Sequence, residues 1–111
     1  MTDLVTEPFR TVGPADALPN DFVVPYYLDD LKRRVSVARI DDRLYAFDDL
    51  CRCAEESCPL SGGLLTGTTL MCQCHGSRFN VTTGALINGP ATQPLNVYDV
   101  QEVDGEIQIR A

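Results

Sequence analysis

Short alternations of apolar and polar residues run through this chain, each broken after a few positions by glycine, proline or aspartate. A period of two is the signature of strands with one face toward a core. The pattern predicts a first strand over Phe9-Arg10-Thr11-Val12, ended by Gly13-Pro14, then one helical turn within Pro14–Leu18. Phe22-Val23-Val24 reads as a strand stopped at Pro25, and Asp29–Arg34 as a turn leading into a polar strand start. The clearest hairpin follows: Val35 and Val37 alternate with Ser36 and Ala38, and Asp41-Asp42 turns the chain into Leu44-Tyr45-Ala46-Phe47. Leu64-Leu65-Thr66 can pair with Thr68–Met71 across Gly67, and Arg78–Val81 with Ala85–Ile87 across Thr82-Thr83-Gly84. A last pair, Leu95–Val100 and Glu106–Ile109, flanks Asp104-Gly105.

Nothing in this pattern supports a long helix. Strands recurring about every eight to twelve residues predict an all-β fold, a small antiparallel sandwich or incomplete barrel. A chain of 111 residues is expected to form one domain, spanning 1–111. Its 44% hydrophobic content supplies a modest core, which a metal crosslink would reinforce.

Sixteen acidic residues against nine basic ones give a net charge of -7. The backbone of nucleic acid or an anionic membrane would repel such a surface, so neither is an expected partner. A basic patch on another protein would attract it, although an acidic surface also serves solubility alone. No apolar run approaches the length of a membrane span, and Met1–Glu7 lacks the basic-then-apolar order of a secretory signal. The expected location is the cytoplasm. In that reducing setting, five cysteines read as metal ligands or reactive thiols rather than as a disulfide framework.

The cysteines fall in two groups. Cys51-Arg52-Cys53, with Cys58 close behind, precedes Cys72-Gln73-Cys74-His75-Gly76-Ser77 by eighteen residues. Both groups lie at predicted strand ends, where side chains can converge. Tetrahedral zinc sites and iron–sulfur centres both use thiolate and imidazole ligands, so a zinc-stabilised protein-binding module is one reading of the spacing and an iron–sulfur protein another. His75 is the only histidine, so no metal centre here can take two histidines from this chain.

Cys72-Gln73-Cys74-His75-Gly76-Ser77-Arg78-Phe79, followed by Thr83-Gly84 and Gly89-Pro90-Ala91, resembles the second box of Rieske-type ferredoxins and Rieske domains. Cys58-Pro59-Leu60-Ser61-Gly62-Gly63 resembles the segment that closes their first box. The family pattern is Cys-x-His and then Cys-x-x-His, and here Cys53 stands where the first histidine would be. The resemblance implies a cluster-binding subdomain of two loops at roughly 48–91, holding a [2Fe-2S] cluster. Carried over residue by residue, Cys51 and Cys72 would bind one iron, and Cys53 and His75 the other. A rival arrangement uses Cys58 as the fourth ligand and leaves Cys53 outside the set. Cys58 and Cys74 match the positions of an additional cysteine pair that some members join as a disulfide.

Three thiolates and one neutral imidazole make the cluster one unit more negative than the two-histidine form. That opposes reduction, and the expected potential lies between about -400 mV for four-cysteine centres and about -150 mV at the low end of Rieske centres. By the same resemblance Ser77 donates to a bridging sulfide, and Phe79 stands where high-potential members have a tyrosine donor, lowering the potential further. Pro90 belongs to a loop that covers the cluster.

The implied function is one-electron transfer from a flavin-containing reductase to an oxygenase or similar terminal enzyme. The chain would act as a carrier and component of a multicomponent system, with no catalytic residue of its own. A small iron–sulfur subunit of a redox enzyme complex is the alternative within the same chemistry, and a cluster-based sensor is another. The carboxylate pairs Asp41-Asp42, Asp48-Asp49 and Glu55-Glu56 read as turns and solvated edges, with Glu55-Glu56 placed to help dock a basic partner.

Overall fold

In a computed structural model of the protein, residues 9–29, 32–49, 59–73, 76–89, 91 and 93–110 are described. Ten strands and two short 3₁₀ turns make up the regular structure among them. A six-stranded antiparallel sheet has the order β1-β10-β9-β4-β3-β2, built from β1 (Arg10–Pro14), β2 (Phe22–Leu28), β3 (Arg33–Ile40), β4 (Arg43–Asp48), β9 (Val97–Val103) and β10 (Glu106–Arg110). Its two outer strands approach each other: a Cβ on Gly13 of β1 would lie 3.2 Å from the ring of Tyr26 in β2. The sheet is therefore rolled into a nearly closed barrel. A smaller antiparallel sheet, β5-β6-β7-β8, comprises β5 (Leu64–Thr66), β6 (Thr69–Met71), β7 (Arg78–Asn80) and β8 (Leu86–Asn88).

The predicted β3–β4 hairpin is present, and both turn residues, Asp41 and Asp42, have positive φ (52° and 66°). That pair of left-handed residues matches the twist of the flanking strands, and aspartate tolerates it better than most side chains. Two expectations need correction. Proline does not stop β2 at Pro25; the strand continues to Leu28 because β2 is an outer strand, where a missing N–H need not break a ladder. The first strand runs two residues further than expected, with Gly13 and Pro14 as its last members after a register shift between Thr11 and Gly13, and it ends at Pro14.

Strand β3 does not present a polar face. Val35, Ser36, Val37 and Ala38 are all fully buried, because the β3–β4 hairpin forms a wall between two cores. On one side, inside the barrel, Val35, Val37 and Ala46 pack with Ile107, Ile109, Leu18 and Leu28. On the other, Ala38, Ile40 and Phe47 pack with Leu60, Leu70, Phe79 and Leu95, joining the small sheet to the barrel. Cys72 belongs to this second core.

Candidate metal centre

The second cysteine group is positioned by the β6–β7 hairpin. Met71 ends β6, Arg78 begins β7, and the intervening loop is closed by paired backbone bonds. The Cys72 N–H donates to the Ser77 carbonyl at 2.8 Å, and the Gly76 N–H donates to the Cys72 carbonyl at 3.0 Å. Gly76 takes φ +79°, which a side chain would resist. Cys72 is completely buried, so its thiol faces the protein interior rather than water.

Two further segments converge on this loop. The second 3₁₀ turn, Leu60–Gly62, leads away from the first cysteine group and packs against the second. A Cβ on Gly63 would sit 2.2 Å from the Met71 carbonyl oxygen, and one on Gly62 would sit 2.7 Å from the Gln73 side chain. At Gly63 the neighbour is backbone, so glycine lets the two backbones come this close, whereas at Gly62 it is the end of a side chain that can move aside. On the other side, the Ala91 N–H donates to the Ser77 hydroxyl at 2.9 Å, bringing Ala91 onto the loop. Ser77 is fully buried. Its hydroxyl accepts from Ala91 and retains its single O–H for donation elsewhere. Phe79 is also fully buried and packs in the same core as Cys72 and Leu60.

Of the predicted site residues, Cys72, Ser77 and Phe79 are thus together within one core and its adjoining loop. Cys51, Cys53, Cys58, Cys74, His75 and Pro90 lie outside the described residues, as do Glu55 and Glu56.

The end of β4, which leads toward Cys51, is held on both faces by consecutive aspartates. Outward, Asp48 accepts from the Tyr98 hydroxyl at 2.5 Å and from the Asn96 amide at 2.9 Å. Arg33 donates to the same tyrosine oxygen at 3.2 Å. Partial burial, followed by the bond to Asp48, pushes the Tyr98 pKa up to about 12. Inward, Asp49 is fully buried and its carboxylate accepts from Ser36 Oγ (2.8 Å), the Ser61 N–H (2.6 Å) and Ser61 Oγ (3.2 Å). Arg34 Nε lies 2.6 Å from Oδ2, the oxygen that also accepts from Ser61 Oγ. These two carboxylates are not the solvated edge that the sequence suggested. The overlooked signal was strand parity: Asp49 follows Phe47 by two positions and so continues its buried face.

A profile of the Rieske [2Fe-2S] domain matches residues 9–99. The chain belongs to the Rieske family. It is 32% identical over 109 residues to the anthranilate 1,2-dioxygenase ferredoxin subunit of Burkholderia cepacia, covering 98% of this chain and 97% of that one. It is 39% identical over 75 residues to ferredoxin CarAc of Metapseudomonas resinovorans, covering 68% of each. Among solved structures, it is similar to a chain in the complex of reduced oxygenase and oxidized ferredoxin in carbazole 1,9a-dioxygenase. That likeness has a TM-score of 0.81, 29% identity and 92% coverage of both chains.

Membership in the Rieske family gives the protein a [2Fe-2S] cluster, and its likeness to ferredoxin components makes it an electron-transfer component rather than a catalyst. The described residues fit that cofactor. A buried thiol opens the second loop, a buried hydroxyl has an O–H to donate, and glycines bring the first loop's exit against the second loop. When bound, the cluster supplies reversible one-electron chemistry. Among the described residues, no helix is long and apolar enough to cross a membrane.

Proposed function

We propose that this Rieske protein is a soluble, cytoplasmic one-electron carrier, taking electrons from a flavin-containing reductase and passing them to a terminal oxygenase or similar acceptor. The near full-length likeness to a dioxygenase ferredoxin subunit is the observation that carries this reading. The solved oxygenase–ferredoxin complex that contains a similar chain supports a terminal oxygenase as the acceptor class. The whole chain, 1–111, acts as one domain in this reading, with residues 48–91 as its cluster-binding subdomain.

Cys51 and Cys72 hold one iron, and Cys53 and His75 the other. Cys53 takes the first-box histidine position because it keeps that box's one-residue separation. Cys58 and Cys74 then form a pair that a disulfide can join. In this arrangement Cys72 enters from the buried end of β6, and Ser77 supplies the hydroxyl donor beside it. Phe79 supplies packing without a polar donor, and Pro90 stiffens the covering segment. Glu55-Glu56 contributes to docking a basic partner surface.

Iron, acid-labile sulfide and zinc analysis of the purified protein, followed by spectroscopy of the reduced state, tests the assignment. Cys53→Ser should abolish or alter the ligand spectrum, whereas Cys58→Ser should leave it intact. The opposite result would make Cys58 the fourth ligand. A colourless protein containing zinc and no sulfide would overturn the electron-carrier reading.

A further inference from the structure

Asp49 occupies an unusual position for a charged side chain. It lies just past the end of β4, two residues before Cys51, and is fully buried. Its carboxylate reaches across the first cysteine loop to Ser61, twelve positions further along the chain, accepting from both the backbone N–H and the hydroxyl. The Leu60 N–H also donates to the Asp49 carbonyl at 3.4 Å, while the Asp49 N–H donates to the Arg34 carbonyl at 3.0 Å. The two ends of the loop are therefore joined through one residue. Such closure lowers the entropy that the cysteines must lose to converge on a metal.

The same carboxylate carries a charge into the interior. Three donors from Ser36 and Ser61 solvate it in place of water, and its cationic partner, Arg34, remains 45% exposed. Water screens the guanidinium more than it screens the buried carboxylate. The unbalanced field beside the first loop is consequently negative, and it opposes the arrival of an electron there.

We propose that the Asp49–Arg34 pair clasps the first ligand loop and sets the electrostatic field at the cluster, Asp49 lowering its reduction potential and Arg34 raising it. Asp49 is a positioning residue in this role and touches no iron. The inference rests on the ligation proposed above only through Cys51, whose loop it closes.

Asp49→Asn keeps the side chain's shape and one carbonyl acceptor but removes the charge. Arg34→Gln removes the opposing cation from a partly exposed site. Measured by voltammetry on cluster-loaded protein, Asp49→Asn should raise the midpoint potential and Arg34→Gln should lower it by a smaller amount. Asp49→Asn should also lose its visible absorbance several-fold faster than wild type under an iron chelator. A purely structural role would lower the melting temperature of both variants while leaving both potentials unchanged, and that result would overturn the proposal. So would shifts of the same sign. If Asp49→Asn does not fold, the potential of Arg34→Gln decides alone, and no lowering there defeats the idea. Wild-type protein lacking acid-labile sulfide would overturn the ligation itself, and this inference with it.

Discussion

The Ala91 N–H and the Ser77 hydroxyl meet at 2.9 Å in a buried contact that ties Ala91 to the second cysteine loop. One serine hydroxyl can accept from Ala91 and, in the ligation proposed above, donate toward a sulfur at the same time. Ser77→Ala should have two separable effects. Leaving the Ala91 N–H without its acceptor should cost about 1–3 kcal/mol of stability. Losing a donor to the cluster should also lower the reduction potential, since such bonds favour the more negative reduced state. Thermal denaturation reads the first effect and voltammetry the second. A lower melting temperature at unchanged potential would confine the hydroxyl to its bond with Ala91.

Arg39 offers a contrasting case, with its partners in and beside the first 3₁₀ turn and in β9. Its guanidinium donates to the carbonyls of Leu18 at 2.6 Å and Ala15 at 3.1 Å, and approaches Glu102 at 3.3 Å. These bonds fasten the first 3₁₀ turn across the end of the barrel. Arg39→Met should retain much of the aliphatic packing and remove the donors, destabilising the protein by about 1–3 kcal/mol. Chemical denaturation should show this loss, whereas the potential of the loaded protein should not move. A shifted potential would show that the barrel end and the cluster loops are mechanically coupled.

Most of the strand order was legible because local chemistry and tertiary structure agree. Asp41-Asp42 and Asp104-Gly105 turn the chain where the alternation stops, and each pair adopts positive φ. The second cysteine box was legible for the same reason, since Cys72, Gly76 and Ser77 act within one hairpin. What sequence reading missed depends on neighbours far away along the chain. Ser36 reads as a solvent-facing residue until the small sheet covers its side of β3. Asp49 reads as a turn residue until Ser61 and Arg34 are brought to it. Pro25 reads as a stop unless β2 is known to lie at the sheet's edge. Burial of a polar residue depends on where its partners come from, and local periodicity does not carry that information.

Tyr98 gives the protein a specific alkaline response. Its pKa is pushed from an ordinary value near 10 up to about 12 in the folded state, by burial and by the bond to Asp48. Below about pH 10 both folded and unfolded chains hold this proton, so its contribution to stability is fully present. Between about pH 10 and 12 the unfolded chain releases the proton while the folded one retains it, so stability falls as pH rises. Burial also raises the Tyr26 pKa and adds to the same trend. Denaturant midpoints measured across this window should decline more steeply for wild type than for Tyr98→Phe. Parallel pH profiles would show that the tyrosine titrates alike in both states.

Gly63 and Gly67 stand close in sequence yet should respond oppositely to the addition of a methyl group. At Gly63 the new Cβ would lie 2.2 Å from the Met71 carbonyl oxygen, and backbone on both sides leaves no flexible side chain to yield. The first loop's exit would have to move away from the second loop. At Gly67 nothing lies within 4 Å, and the only obstacle is a φ of +61°. An alanine there should cost about 1–2 kcal/mol, the usual penalty for a left-handed residue with a side chain. Gly63→Ala should therefore lower iron and sulfide content per chain and shorten the lifetime of the cluster's visible absorbance. Gly67→Ala should lower the melting temperature while keeping the wild-type iron and sulfide content. Full cluster occupancy with an unaltered reduced-state spectrum in Gly63→Ala would mean that close contact between the loops is dispensable for holding the metal.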